Sequence, residues 1–474
     1  MSVTLRPDPN RWPDCLAPTD DTVARSLAAA AQAAADRGIG PEPVSPEKEV
    51  AWIVTGHQAR LWHPGILAKF VAARAMADSA RPVVHLVVDH DAHPTLELEV
   101  PHVTGDRAQV QTLELAETAV DVPTGWQAPV DAGQVQSRLA AAAAEIGGVM
   151  GERLTALADA WTPVGEPKCL ADQVVAVLSQ WIEPVAGPVM VATVSDLLAT
   201  DAWAEVETAI LENPAGCVRA YNEAVAESPS AGLRPLLDGA GRVELPVWAV
   251  GRDRPRQTVF AEVDSGELLL GTGQTLDRSD WTLAPRALTL TAMIRRGGGL
   301  FVHGTGGGLY EPVADAWWQS WRGELAGGFT VASADVYLDL GVPVAEPEEL
   351  ARAQWWAHHL PHNLDRALEL TGPRIDEKRK LIETMDIDRD PVRRARAFDR
   401  IHAINDVLAA EHPQPLTEAQ AQLARARAGV ANRTVAARRD WAVGLYPAEA
   451  IVVMAEAIRQ PLAEARDATV GGRS

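Results

Sequence analysis

Three short polar clusters each contain a histidine, and each cluster directly follows an apolar run. The clusters are Thr55–Gln58, Asp89–Asp91 and His303–Glu311. A histidine titrates near neutral pH and suits general base catalysis. A neighbouring aspartate can orient the histidine or bind the ammonium group of a substrate. The clusters therefore predict acid–base chemistry on a small polar molecule.

The first two clusters must be positioned by one strand–helix–strand unit. Residues 50–54 and 83–88 are apolar runs with β-branched members, which favours buried strands. Residues 64–79 between them open with a proline and carry apolar residues at helical spacing. This crossover length favours parallel strands, whose carboxyl ends meet at one edge of the sheet, where such sheets bind ligands. The sequence therefore predicts one site that combines both clusters.

The third cluster is a glycine-rich segment between an expected strand, 300–302, and an expected helix, 312–321. Backbone N–H groups of such a loop can approach an anion, and the start of the helix adds partial positive charge. The segment matches neither the phosphate-binding loop nor the dinucleotide fingerprint. An equally supported interpretation is a strained turn. A fourth apolar run, 188–194, ends at Ser195 and Asp196, for which helix capping is the favoured role.

Composition bounds the class of protein. The 474 residues include 43 Lys and Arg against 64 Asp and Glu, a net charge of −21 that disfavours nucleic acid and anionic membranes as partners. No long apolar span suggests a membrane helix, and the first residues lack the apolar region of a signal peptide. Cys15, Cys169 and Cys217 are far apart and form no disulfide framework. These features predict a cytoplasmic protein that acts on small molecules.

The length favours two domains. We expect an α/β core with a mainly parallel sheet over residues 1–345, with an inserted lobe at 212–285, and a helical region over 346–474. Leu416, Leu423 and Val430 recur every seven residues, which indicates a short coiled-coil seam. This seam predicts packing on the core or formation of a homodimer through the C-terminal helices.

The chain resembles the bacillithiol biosynthesis cysteine-adding enzyme family, a family of cysteine ligases. That family has a Thr-Gly-Gln-Gln stretch, a strand ending in Glu-Asp-His-Asp, and a later glycine loop. Here Thr55–Gln58, Val88–Asp91, Ala284–Arg286 and His303–Tyr310 are similar in order and position. The chain departs from the pattern at His57, where the family has glutamine, and at Val88, where it has an acidic residue.

The resemblance implies a Rossmann-like core and condensation of cysteine with a sugar-malate conjugate. It also implies that an adenine nucleotide, ATP or ADP, takes part. We expect no tightly bound cofactor or metal, because the spacing of His90 and His93 matches no recognised ligand frame. The departures leave open a divergent member that acts on another amine or carboxylate.

Catalytic and binding roles are assigned on this basis. The expected catalytic residues are His57, Asp89, His90, Asp91 and His303. The expected substrate- or nucleotide-binding residues are Thr55, Gly56, Gln58, Asn222, Arg286, Gly304, Gly306, Gly307, Gly308 and Tyr310. His57 or His90 would act as general base, and the glycine segment with Arg286 would hold a carboxylate or phosphate.

Two other classes of function fit the same residues. Asp89, His90, Asp91 and His93 have the ligand types of a divalent metal site, which would make the protein a metal-dependent hydrolase. No HxHxDH or HExxH arrangement accompanies them, so this interpretation is less favoured. The other alternative is a non-catalytic, ligase-like scaffold.

Overall fold

The computed structural model describes residues 1–16, 20–43, 52–78, 81–162, 165–297 and 299–471, with side chains described as far as residue 466. The strands within these ranges are β1 (Ser2–Arg6), β2 (Ile53–His57), β3 (Val83–Val87), β4 (Glu97–Thr104), β5 (Arg107–Glu114), β6 (Met190–Thr193), β7 (Asp238–Gly239), β8 (Arg242–Gly251), β9 (Arg254–Glu262), β10 (Leu268–Leu270), β11 (Thr282–Pro285), β12 (Leu300–His303) and β13 (Phe329–Asp335).

The helices in the same ranges are α1 (Asp21–Ala35), α2 (Pro64–Met76), α3 (Ala132–Ile146), α4 (Gly148–Ala160), α5 (Leu170–Ala186), α6 (Val194–Leu197), α7 (Asp201–Glu212), α8 (Pro214–Glu227), α9 (Ala287–Gly297), α10 (Gly307–Arg322), α11 (Pro347–His359), α12 (Leu364–Ala367), α13 (Pro373–Ile387), α14 (Pro391–Glu411), α15 (Pro413–Ala436) and α16 (Ala448–Gly471). Of the helices in the described part of the chain, none is both long and apolar enough to cross a membrane.

Six strands form the main sheet, in the order β1-β13-β12-β2-β3-β6. The strands from β13 to β6 are parallel to one another, and β1 pairs antiparallel with β13 at one edge. Because β2, β3, β6 and β12 are parallel, the polar residues that follow them lie at the same edge of the sheet. The predicted mainly parallel α/β sheet is therefore confirmed.

The strand order reverses between β2 and β12. From β2 the chain proceeds to β3 and β6 on one side of the sheet, and then returns to β12 and β13 on the other. The connections leave the sheet in opposite directions at this point, so a crevice opens beyond the carboxyl ends of β2 and β12. His57 and His303 are the last residues of these two strands.

Helices cover the sheet and bury its central strands. Every residue of β3 is buried, as expected for a strand in the middle of a covered parallel sheet. Val54, Val84 and Ala192 share a core cluster with Leu27 of α1 and Val313 of α10. The other helices that pack closely on this unit include α2, which contacts β13 and α16.

The inserted segment forms a second, antiparallel sheet. Its strands run in the order β10-β9-β8-β11, and β7 pairs with β8. The hairpin expected around Asp264–Gly266 is β9–β10. This lobe contributes Trp248 from β8 and Arg256 from β9 to the cavity described below.

The chain divides into two compact units. The first comprises residues 1–100, 112–336 and 439–474, and the second comprises 101–111 and 337–438. The domain boundary predicted at residue 345 remains a prediction. The last helix, α16, belongs to the first unit. In the second unit, Leu423 is buried in a cluster with Ala357, Leu360 and Ile404, and Leu416 packs against it. A C-terminal helical region is therefore present, as expected.

Several elements differ from the sequence predictions. The segment 104–185, expected to be helical, begins with β5, which pairs with β4 in a two-stranded ribbon. The helix expected from Leu197 is divided into α6 and α7. The helix expected from Pro312 begins at Gly307, so Pro312 lies inside α10, where it cannot donate a backbone hydrogen bond to residue 308. Residues 50 and 51 of the first predicted strand, and residue 79 of the predicted helix, lie outside the described residues.

Candidate functional site

A cavity of about 590 Å³ lies at the carboxyl edge of the main sheet, beside the ends of β2 and β12. Eleven of the predicted site residues line it: Gly56, His57, Gln58, His90, Asp91, Arg286, His303, Gly304, Gly306, Gly307 and Tyr310. The lining also includes residues that sequence reasoning did not select, among them His63, Lys69, Tyr221, Trp248, Arg256 and Thr305. The structure thus brings together most of the three clusters.

Asp89 does not line this cavity. Its side chain is fully buried, and its Oδ1 accepts a hydrogen bond from the Ser195 backbone N–H at 3.0 Å. A Cβ on Gly125 would overlap with the carboxylate, so a glycine is needed there. Burial raises the pKa of Asp89 to about 7. The described contacts therefore give Asp89 a role in joining the exits of β3 and β6, and they do not support the predicted catalytic role.

Thr55, Asn222 and Gly308 also lie outside the cavity lining. The Thr55 hydroxyl donates to the Val302 carbonyl at 3.0 Å and links β2 to β12. The Asn222 amide bonds both the N–H and the C=O of Leu236. A Cβ on Gly308 would overlap with Val331 of β13. These three residues hold the walls of the site in place, and the predicted ligand contacts are not among their described interactions.

His57 closes the end of β2 as a neutral imidazole. Its Nδ1 accepts a hydrogen bond from the Gln58 backbone N–H at 2.8 Å, so the proton of the neutral ring is on Nε2. Its ring stacks on Trp62 with 6.1 Å between the centroids. Burial, with the nearby Lys69 and Arg60 charges, holds the pKa of His57 well below its ordinary value.

His90 is a buried histidine in the lining of the cavity. It is 3% exposed, and its ring hydrogen-bonds the backbone of Pro285, which offers only a carbonyl. Nδ1 is the nitrogen without a partner among the described residues, so Nε2 carries the proton and Nδ1 keeps its lone pair. Burial, opposed by Asp91, lowers the pKa of His90 to about 4. His90 is therefore neutral at physiological pH.

Asp91 anchors one wall of the cavity. Its carboxylate pairs with Arg256 and accepts a hydrogen bond from the Gln58 amide at 3.0 Å. Arg256 also lies over the Trp248 ring, with its guanidinium carbon 4.5 Å from the ring centroid. Gln58 and Arg256 thus fix Asp91 by charge and hydrogen bonding, and they hold its pKa below the ordinary value although burial acts in the opposite direction.

Arg286 lies over the same Trp248 ring, with its guanidinium carbon 4.1 Å from the centroid. Its Nη1 is 2.8 Å from the Glu244 carboxylate, which is fully buried and also pairs with Arg234. The Arg286 Nη2 is buried and has no hydrogen-bond partner among the described residues. The planar guanidinium group of Arg286 is therefore held in place at the cavity wall, while the N–H donors on its Nη2 lack a partner among the described residues.

His303 is held by a buried carboxylate. Its Nε2 lies 2.7 Å from Glu311 Oε1, and Glu311 also pairs with Arg295. Glu311 and Arg295 are almost completely buried. Burial lowers the pKa of His303, and the Glu311 charge opposes this change. This network joins the end of β12 to the first two turns of α10.

The glycine-rich segment is a turn without backbone strain that leads directly into α10. None of its glycines has a positive φ, and Gly307 and Gly308 already belong to α10. A Cβ on Gly307 would overlap with the His303 ring. The glycines therefore allow the helix to approach β12 and β13 closely, and the first turn of α10 faces the cavity through Gly306 and Gly307.

Lys69 is the most informative residue that sequence reasoning missed. It is 5% exposed on α2, and its Nζ donates to the Gly56 carbonyl at 2.5 Å. Burial lowers the pKa of Lys69 to about 7. A signal was present in the sequence, because Lys69 is the one charged residue between Gly65 and Ala73 in an otherwise apolar stretch.

The four residues of the alternative metal site do not converge. Asp89 is directed to Ser195, Asp91 pairs with Arg256, and His93 Nε2 is 3.3 Å from the Ala59 carbonyl. Among the residues that the structure describes, no group of three or more His, Cys, Asp or Glu side chains is arranged to hold a metal ion. The geometry therefore gives no support to a site built from Asp89, His90, Asp91 and His93.

The sequence matches no protein-family model, and it has no significant match among curated proteins. The function must therefore be argued from the cavity itself.

Proposed function

We propose that the chain is a ligase-like enzyme that joins the amino group of cysteine, or of another amino compound, to a carboxylate acceptor of the sugar-malate type. The observation that carries the proposal is the convergence in one cavity of a neutral His90, whose buried Nδ1 has no partner among the described residues, with the basic side chains of Lys69 and Arg286. The resemblance at Thr55–Gln58 and Val88–Asp91 supports the same class of reaction.

The residues match the needs of amide formation. The amine must lose a proton before it attacks, and His90 Nδ1 can accept that proton. The acceptor must be held as an anion and its carbonyl oxygen stabilised as charge develops, which Lys69, Arg286 and the N–H groups at the start of α10 can do. A C–N bond forms, and one acceptor oxygen leaves. If ATP activates the carboxylate, that oxygen departs with phosphate; otherwise it departs as water.

A Rossmann-like core is part of this proposal. The strand order β13-β12-β2-β3-β6, with its reversal between β2 and β12, supports such a core. Binding of ATP or ADP and a cytoplasmic location are proposed on the same basis, together with small molecules as the partners. The size of the cavity, about 590 Å³, is in the range of small-molecule sites.

The direct test is product formation. Purified protein is incubated with cysteine and a glucosaminyl-malate acceptor, with and without ATP, and the products are analysed by mass spectrometry. We expect a product with the mass of both substrates less one water, and its loss in His90→Gln. The matched control is His93→Gln, since His93 lies three residues further on and outside the cavity lining. A product formed equally by both variants would remove His90 as the base, and absence of product with every amine and carboxylate pair tried would count against a ligase.

A further inference from the structure

Lys69 differs from the other cations of the cavity in having no protein carboxylate as partner among the described residues. Arg256 pairs with Asp91, and Arg286 pairs with Glu244. Lys69 is 5% exposed and its one described hydrogen bond goes to the Gly56 carbonyl, although an ammonium group has three N–H donors. A buried ammonium without an anion is costly, which makes an anionic ligand a favourable addition.

The start of α10 lies beside this lysine. A Cβ on Gly304 would be 3.7 Å from Lys69 Cδ, so the lysine stem runs against the residue that leads into the helix. Gly308 N–H bonds the Gly304 carbonyl, and Leu309 N–H bonds the Gly306 carbonyl. The N–H groups of the three residues between, 305–307, have no backbone acceptor among the described hydrogen bonds. Thr305, Gly306 and Gly307 all line the cavity.

We infer that the cavity holds an anionic group of the acceptor, a carboxylate or a phosphate, between Lys69 Nζ and the free N–H groups of residues 305–307. A helix N-terminus with a buried ammonium at its side offers charge and directed donors to the same oxygens. This inference rests on the proposed function for the identity of the acceptor, but the anion site stands on the geometry alone.

The assignment also places the two substrates on different sides of the cavity. The acceptor anion occupies the side formed by α2, β12 and α10. The amine then lies on the side of β3, where His90 is the base. The two substrates are thereby held by different elements of the fold, on either side of the strand reversal between β2 and β12.

The experiment measures binding of inorganic phosphate and of malate by calorimetry, each titrated separately into the full chain. We expect wild type to bind at least one of them, and Lys69→Met to bind it about tenfold to hundredfold more weakly, since a charge-assisted hydrogen bond is lost. Malate alone as the ligand identifies a carboxylate site, and phosphate alone identifies a phosphate site. Melting temperatures of the variants establish that they are folded.

A second pair of variants tests the N–H groups without touching Lys69. Gly306 has φ −66°, which proline adopts, and nothing lies within 4 Å of an added Cβ. Gly306→Pro deletes one N–H donor, and Gly306→Ala is the matched control that keeps it. We expect weaker anion binding in Gly306→Pro and unchanged binding in Gly306→Ala.

The outcomes separate this inference from the proposed function. Failure of wild type to bind either anion, or equal binding by wild type and Lys69→Met, overturns the anion site. If binding depends on Lys69 but no amide product forms with any substrate pair, the site stands and the ligase proposal falls. If the product forms while Lys69→Met binds the anion as well as wild type does, the ligase stands and the site falls.

Discussion

His303 and Glu311 form a buried pair that ties the end of a central strand to the helix that follows it. The distance from His303 Nε2 to Glu311 Oε1 is 2.7 Å, and the carboxylate is also bonded by Arg295. Because all three side chains are buried, the pair fixes the wall of the cavity from which the first turn of α10 presents its N–H groups.

Removal of Glu311 should be far more costly than removal of its neighbour Asp315. Glu311→Ala leaves the Arg295 charge buried without its inner partner, and we expect a loss of about 3–5 kcal/mol in the free energy of unfolding. Asp315 bonds the same arginine, but its side chain is 41% exposed, so Asp315→Ala should cost about 1 kcal/mol or less. Urea unfolding of both variants checks the difference, and equal losses would contradict this account of the network.

The rate of amide formation should depend on two groups of the cavity. The pKa of His90 is about 4, so kcat/KM should rise with pH through about 4 as the base loses its proton. The pKa of Lys69 is about 7, so kcat/KM should fall above about 7 as the anion site loses its charge. The titratable neighbours His57 and His303 have lowered pKa values and are neutral throughout this fall.

Lys69→Arg tests the origin of the falling limb. An arginine stays protonated well above neutral pH, so the fall in kcat/KM should move to higher pH in this variant while the rise near 4 stays. The measurement is a pH profile of kcat/KM for wild type and variant. A falling limb at the same pH in both would show that another group, or the substrate, causes it.

Asp89 should make stability decrease as the pH rises. Burial raises its pKa from 3.8 to about 7, so the folded state holds this proton more tightly than the unfolded state. The stabilisation is complete below about pH 4 and is lost as the pH rises through about 7. In Asp89→Asn this contribution is absent. The variant should therefore gain stability relative to wild type, by a few kcal/mol, between about pH 4 and about pH 8.

The check is urea unfolding of both proteins at about pH 5 and about pH 8. Asp238→Asn is the control, since Asp238 is exposed and the substitution should leave the pH dependence as it is in wild type. If wild type and Asp89→Asn show the same change between the two pH values, the carboxylate does not hold its proton in the folded state.

Leu423 tests the predicted seam in the C-terminal helices. It is 7% exposed within the second unit, so Leu423→Glu buries a charge and should lower the free energy of unfolding of that unit by more than about 3 kcal/mol. Dimerisation through these helices stays a prediction, and light scattering on wild type and variant tests it. Unchanged mass and unchanged melting would exclude both roles for the seam, and an exposed helix position, Glu418→Gln, serves as the control.

The sequence by itself determined four of the six strands of the main sheet and the edge at which their polar exits meet, whereas β1 and β13 were not predicted. Apolar runs of β-branched residues, each closed by polar residues, identified β2, β3, β6 and β12, because buried parallel strands need continuous apolar faces. The length of the crossover between β2 and β3 then indicated that these two strands run parallel to each other. His57, His90, Asp91 and His303 could be placed near one another from these local patterns alone.

Only the tertiary structure decided which side chains face the cavity. Asp89 and His90 are adjacent in the turn that follows β3, but Asp89 bonds Ser195 whereas His90 lines the cavity, a division that the local sequence does not indicate. Lys69 lies in the cavity because α2 packs against the sheet. No spacing in the sequence indicates how far Lys69 is from α10. Arg256 and Trp248 come from a separate sheet, and their approach to Asp91 depends on long-range contacts that local patterns do not encode.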